Sequence, residues 1–116
     1  MDNKPSVLYV GQVVVLQTAT FRAWLSALRD RRARIRIDDR LLRLADGHVG
    51  DTKSVGHGVR ELRLHFGPGY RVYYVWRGEL LVLLLNGGGK NSQSRDIAKA
   101  KHLAREAEDG LESNSL

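Results

Sequence analysis

The sequence predicts an α+β fold: a small, mostly antiparallel sheet with an N-terminal helical hairpin and a C-terminal helix. Three observations carry this. The chain opens on a β-branched, apolar run, VLYVGQVVVL at 7–16. Two stretches with helical spacing follow, over about 20–28 and 31–45. Three short strands in a meander then precede one more helical stretch, over about 95–109.

Each element has its own warrant. The run 7–16 reads as one strand buried on both faces. Thr18 and Thr20 are candidate N-caps for the first helix, where Phe21, Trp24, Leu25 and Leu28 recur at i, i+3, i+4 and i+7. Asp30 starts the second helix, with Ile35, Leu41, Leu42 and Ala45 as its apolar stripe and Ile37 a poorer fit. Two helices joined this tightly form a hairpin. Residues 46–58 hold four glycines and read as a long loop. In 59–66, Leu62, Leu64 and Phe66 alternate with Glu61, Arg63 and His65, so the two sets point to opposite faces. Gly67-Pro68-Gly69 turns into the strand 70–76, and Arg77-Gly78 turns into 79–86, which is apolar on both faces. Gly87-Gly88-Gly89 ends that strand. Ser92 or Ser94 caps the last helix, with Asp96 in its first turn. The domain spans 1–109, and 110–116 form an acidic, flexible tail.

Length and composition bound the function. With 116 residues the chain is one domain, and about two thirds of its unfolded surface is buried on folding. Cysteine is absent, which excludes a disulfide framework, a thiolate metal centre and a cysteine nucleophile, and suits a cytoplasmic location. No apolar run approaches the ~20 residues of a membrane span, and the N-terminus lacks signal-peptide order. No pair of the histidines His48, His57, His65 and His102 has metal-ligand spacing, so neither metal nor cofactor is expected.

Charge is the positive clue. The chain carries 19 Lys and Arg against 13 Asp and Glu. Four of the acids, Glu106, Glu108, Asp109 and Glu112, fall in the last eleven residues, which hold no Lys or Arg. The remaining body is strongly basic and attracts polyanions, nucleic acid above all. Within it, the second helix collects Arg31, Arg32, Arg34, Arg36, Arg40 and Arg43. Lys90 follows three glycines ahead of a helix N-terminus, a natural phosphate site. The match to a nucleotide-binding P-loop fails at Leu84 and Asn91.

The segments GVRELRLHFGPGYRVYY at 58–74 and LLLNGGGKNSQSRDIAKAK at 83–101, with FRAWLSALRDRRARIRI upstream, resemble the RelE/ParE superfamily of toxin–antitoxin killer proteins. More narrowly they resemble its phage Gp49-like, HigB-type addiction-module branch, over about residues 7–105. The resemblance implies a growth-inhibiting toxin of a type II toxin–antitoxin pair. Many RelE-like members are metal-independent mRNA endonucleases acting on the ribosome; ParE-like members bind and inhibit DNA gyrase. An inactive relic that only binds its antitoxin is a third outcome. The implied partners are a helix-turn-helix (HigA-like) antitoxin, through which the pair would hold operator DNA, together with ribosome and mRNA.

RNA cleavage without a metal uses the neighbouring 2′-hydroxyl as nucleophile and needs fixed cations around the phosphorane. Arginine suits this by binding two phosphate oxygens at once. Arg63, Arg71 and Lys90 are therefore the candidate catalytic residues, Arg63 matching the basic residue that the family uses on the scissile phosphate. Imidazole as a group titrates near neutrality, which makes His57 and His65 candidate acid–base and RNA-contact groups. Lys53 in the long loop, Gln93 beside the glycine turn and Arg34 on the arginine-rich helix are candidate RNA or ribosome contacts. No general acid–base pair is assignable from the stretch Asn91-Ser92-Gln93.

Overall fold

The computed structural model describes residues 3–114, with side chains described as far as Asp109. Six strands form one sheet: β1 (Ser6–Val10), β2 (Val14–Gln17), β3 (Thr52–Gly56), β4 (Val59–Arg63), β5 (Arg71–Trp76) and β6 (Leu81–Gly88). Their order across the sheet is β1-β2-β6-β5-β4-β3. All pairings are antiparallel except β2 with β6. Helices α1 (Ala19–Ala27) and α2 (Arg31–Ala45) lie between β2 and β3 in the chain, and α3 (Gln93–Asn114) follows β6.

The alternation of side chains along each strand splits the core in two. On one face Leu62, Leu64, Val72, Tyr74, Val82 and Leu84 pack with Phe21 of α1 and with Ala33, Ile37, Leu41 and Leu44 of α2. On the other, Val59, Tyr73, Val75, Leu83 and Leu85 pack with Ala100, Leu103 and Ala104 of α3. The result is three layers, with the helical hairpin on one side of the sheet and the C-terminal helix on the other. Thr18 caps α1 by accepting from the Phe21 N–H, and Asp30 caps α2 by accepting from Arg32 and Ala33.

Several boundaries differ from the sequence reading, each for a local reason. The run 7–16 is a hairpin, not one strand: it turns at Gly11, whose Cα lies so close to the Ala45 carbonyl that a Cβ would meet its oxygen at 2.6 Å. β1 is therefore a sheet edge, and Val7 and Val10 are exposed rather than buried. The loop 46–58 contains β3, which pairs with β4 through a hairpin turning at Gly56-His57-Gly58, all with positive φ. In α2 the buried stripe is Ala33, Ile37, Leu41, Leu44 and Ala45, while Ile35 and Leu42 face solvent. Counting alanine as core restores the i, i+4, i+8 spacing that seats Ile37.

Two further boundaries move at the C-terminal end. β6 runs on through Gly87 and Gly88, which are glycines for packing reasons. A Cβ on Gly87 would lie 2.5 Å from the Trp24 ring, and one on Gly88 would lie 1.8 Å from the Asp96 carboxylate. A single 3-10 turn, Lys90–Ser92, leads into α3, which begins two residues earlier than expected and continues to Asn114. The side chains of the acidic segment 110–116 lie outside the described residues.

Candidate functional site

The register of β4 and β5 sets the site. Glu61 stands opposite Tyr73, and Arg63 stands opposite Arg71. Across β5, Arg71 faces Gly88 and Tyr73 faces Asn86. Across β3, Lys53 faces Glu61. Two rows of polar side chains thus cross the sheet on the α3 face, Lys53–Glu61–Tyr73–Asn86 and Arg63–Arg71, the second ending at Gly88.

The rows border a cleft of about 400 Å³ lined by His65, Phe66, Gly67, Pro68, Gly69, Arg71, Lys90 and Asn91. The turn 67–69 forms one wall. It is tied to the start of the 3-10 turn by the Lys90 N–H, which donates to the Pro68 carbonyl at 3.1 Å. Gly69 has φ +72, and a Cβ there would touch Lys90 at 3.4 Å, so glycine allows the two loops to close on each other. Lys90 itself is exposed.

Arg71 is only 7% exposed, yet among the described residues no carboxylate lies within salt-bridge distance of its guanidinium. Its one protein partner among them is the Tyr70 carbonyl, a long 3.5 Å contact, and its Nε has none. Buried charges are ordinarily paired, because desolvating an ion alone is expensive. A second guanidinium stands directly across the ladder. Arg63 has a partner: its Nη2 donates to Asp51 at 3.1 Å. The same carboxylate takes the Nε2 of His65. Hydrogen bonds from His65 and then from Arg63 hold the Asp51 carboxyl below the usual carboxylate range. His65 is thereby oriented at the cleft wall, and its Nδ1 has no protein partner among the described residues.

Arg40 of α2 braces this arrangement from the other layer. Its guanidinium donates to the Arg63 carbonyl at 2.8 Å and makes longer contacts with the carbonyls of Val49 and Asp51. It fills the space where a Cβ on Gly50, at φ +65, would lie 2.8 Å from Nη2.

Beneath the cleft, Glu61 is fully buried. Its Oε2 accepts from the Tyr73 hydroxyl at 3.1 Å and from the Gln93 amide at 2.7 Å, while Oε1 has no partner among the described residues. Burial, and then the Glu61 charge, hold the Tyr73 phenol protonated well above its ordinary range. Gln93 thus ties the first turn of α3 to the sheet.

Of the residues singled out from sequence, His65, Arg71 and Lys90 line this cleft, Arg63 stands across the ladder from Arg71, and Gln93 and Lys53 lie one row away, the first bonded to Glu61 and the second opposite it. His57 lies apart from them. It sits at the exposed tip of the β3–β4 hairpin, at the opposite end of β4 from Arg63, with φ 55. Arg34 is exposed on α2, in the opposite layer. Asp51, Arg40, Glu61 and Tyr73 are site residues that the sequence reading misses. Asp51 has a signal, an acid beside glycine just ahead of a basic strand. Arg40 has none, because its role depends on how the layers pack. Among the described residues no group of histidines and carboxylates could hold a metal ion, and no helix is long and apolar enough to cross a membrane.

The fold and the cleft define a small sheet-and-helix domain with basic side chains, Arg71 and Lys90, lining its cleft. A model of the phage-derived Gp49-like protein family matches residues 23–108, most of the chain. The chain belongs to that family, a RelE-like and commonly toxin-like one. It is also similar to an uncharacterized protein of Haemophilus influenzae (strain Rd), 47% identical over 94 residues, covering 81% of this chain and 95% of that protein. No solved structure matches the chain.

Proposed function

We propose that this protein is the toxin of a type II toxin–antitoxin pair and that its cleft binds RNA phosphate for metal-independent cleavage of mRNA on the ribosome. One observation supports this above the others: Arg71 is a buried guanidinium in the cleft with no carboxylate partner among the described residues, and it stands across the β4–β5 ladder from Arg63. An anion in the cleft supplies the charged partner that Arg71 lacks among the described residues. A phosphate suits the site because a guanidinium binds two of its oxygens at once.

In this reading the 2′-hydroxyl attacks the adjacent phosphorus, the bond to the 5′-oxygen of the next nucleotide breaks, and a 2′,3′-cyclic phosphate and a 5′-hydroxyl form, the 2′-hydroxyl proton passing to His65 and from it to the departing 5′-oxygen. Arg63 and Arg71 hold the non-bridging oxygens as charge accumulates. Lys90, at the opposite wall, holds the phosphate or the leaving oxygen. His65, oriented by Asp51, is the proton-transferring group at the wall. The exposed lysine of β3, Lys53, stands in the neighbouring row opposite Glu61, where it serves as a further cationic contact for the RNA. A helix-turn-helix antitoxin is the partner expected to neutralise the toxin.

The test is induction in a tightly repressed host while incorporation of labelled methionine, uridine and thymidine is followed for minutes. Methionine incorporation falls first, and Arg71→Gln abolishes that fall at equal soluble expression. An early loss of thymidine instead points to gyrase inhibition and removes the catalytic roles of Arg63, Arg71 and Lys90. Undiminished inhibition by Arg71→Gln also overturns the proposal.

A further inference from the structure

The arginines of α2 divide into two groups by their partners. In the C-terminal half they are occupied: Arg40 is turned onto the carbonyls of Val49, Asp51 and Arg63, and Arg43 pairs with Asp39 at 3.2 Å. In the N-terminal half Arg31, Arg32, Arg34 and Arg36 are exposed, and none joins an ion pair among the described residues. An unneutralised cluster of this density repels itself and persists at a cost unless an anionic partner uses it.

One member of the cluster reaches the cleft. The Arg36 guanidinium lies 4.8 Å over the Phe66 ring, and Phe66 lines the cleft. Phe66 is itself packed against Tyr70, with ring centroids 5.5 Å apart. The ring holds the guanidinium at the lip of the cleft, and the guanidinium N–H groups have no hydrogen-bond partner among the described residues, which leaves them for contact with an oxyanion. Arg32, four residues earlier, lies on the same helix face one turn farther from Arg40. Arg36 and Arg32 therefore continue the cationic line from Arg71 out over the lip of the cleft, whereas Arg34 points to a different side of α2.

We propose that Arg36 and Arg32 form an outer subsite that holds the backbone phosphates of the RNA strand flanking the one in the cleft. This rests on the reading of the cleft as an RNA site and adds a direction to it: the strand leaves over Phe66 and runs along the N-terminal half of α2. A positively charged track beside a binding cleft is the general way a protein grips single-stranded nucleic acid without reading its sequence. The subsite acts on length rather than on bases. A substrate too short to reach α2 gains nothing from it.

The test compares binding of a single-stranded oligouridine of about twelve nucleotides with that of a uridine dinucleotide, by the wild type and by Arg32→Gln/Arg36→Gln. A control variant, Arg22→Gln/Arg105→Gln, removes the same charge from exposed positions on α1 and α3. The expected result is that the wild type and the control prefer the longer RNA and the test variant does not. The slope of log affinity against log salt should fall by about 1.4 in the test variant, the value for two lost phosphate contacts on a single strand. Dinucleotide binding, which depends on Arg71, should be unchanged. If the test variant keeps the length preference and slope of the control, the subsite is wrong and the cleft reading stands. If Arg71→Gln fails to weaken either RNA, the cleft reading fails as well. If the test variant loses only its grip on the antitoxin, the surface belongs to a protein partner and the proposal is overturned.

Discussion

Arg63 and Arg71 face each other across the β4–β5 ladder, and only Arg63 has a carboxylate beside it among the described residues. Like charges directly opposite in a sheet destabilise it, and a buried ion without a partner does so further. Arg71→Met is therefore expected to raise stability by about 1 kcal/mol, a gain of several degrees in Tm, while abolishing inhibition of growth. Sulfate or phosphate should raise the Tm of the wild type, because an anion that binds only the folded state stabilises it by mass action. The same anions should leave the Tm of Arg71→Met close to unchanged. Calorimetry with and without sulfate checks both statements. A variant that melts earlier than the wild type would mean that Arg71 serves packing and not an anion.

Asp51 joins the two basic groups at the cleft wall, and its carboxyl is held low, first by the hydrogen bond from His65 and then by that from Arg63. A carboxyl depressed in the folded state contributes stability that is present above its unfolded pKa and disappears as pH falls through the folded one. The wild type should therefore lose a component of its stability below about pH 3.8, the ordinary value of the group. Asp51→Asn should lack that component. It should also free Arg63, so its binding to oligouridine tightens and becomes more salt-dependent. Acid-unfolding curves and salt titrations of the two proteins test the pair of effects.

The strands and helices are legible in the sequence wherever one face alone is buried. α1, with its stripe from Phe21 to Leu28, is an example; β4 is legible for a different reason, because polar and apolar side chains alternate along it although Glu61 is buried. The errors have identifiable causes. Gly11 sits in a run that looks continuous because the hairpin it makes is flanked by valines on both sides. β3, TKSVG, carries too few apolar residues to signal a strand, and pairing with β4 alone places it there. Ile37 looks misplaced because Ala33 does not register as core until Leu41 and Leu44 are seen beneath it. At the site, Arg63, Arg71 and Lys90 can be read from local sequence and family resemblance. That Arg71 has no carboxylate beside it among the described residues, while Glu61 is bonded to Tyr73 and Gln93, depends on register and layer packing, which no local pattern encodes.

Tyr9 of the edge strand donates its hydroxyl to Asp38 of α2, tying the two elements together. Burial, and then the bond to Asp38, push its phenol up to about 12. A group whose pKa is raised on folding contributes stability that is complete below its unfolded value, near 10, and is lost as pH rises through the folded value. Absorbance at 295 nm should therefore show a phenol titrating near pH 12, and Tyr9→Phe should remove that step. The variant should also lose less stability than the wild type between pH 10 and 12.

Gln93 donates to a fully buried carboxylate, so its loss is first a matter of stability. Gln93→Ala leaves Glu61 with Tyr73 as its single donor, and an under-satisfied buried acceptor costs about 1–3 kcal/mol. The expected outcome is a lower midpoint in urea with an unchanged slope. Glu61→Gln/Gln93→Ala should be less destabilised than the effects of its two single variants added together, since the charge that Gln93 serves is gone. If Gln93→Ala melts like the wild type but binds RNA more weakly, the amide contacts substrate instead.

Gly88 and Gly89 are neighbours that should answer an added methyl group in opposite ways. A Cβ on Gly88 would stand 1.8 Å from the Asp96 oxygen and 2.8 Å from its carboxyl carbon. Asp96 is itself 8% exposed in the first turn of α3, where its charge suits the helix dipole and where it accepts from the Ser92 hydroxyl. To admit the methyl group the Asp96 carboxylate must swing away, which breaks its bond with the Ser92 hydroxyl and disturbs the buried first turn of α3. Overpacking of this kind costs about 1–3 kcal/mol, and more where backbone has to move. On Gly89, whose φ is −100, a Cβ meets Pro68 at an ordinary 3.6 Å. Gly89→Ala should change stability by no more than about 0.5 kcal/mol. Urea unfolding of Gly88→Ala and Gly89→Ala separates the two, and equal stability of both would mean that α3 does not rest on β6 at this point.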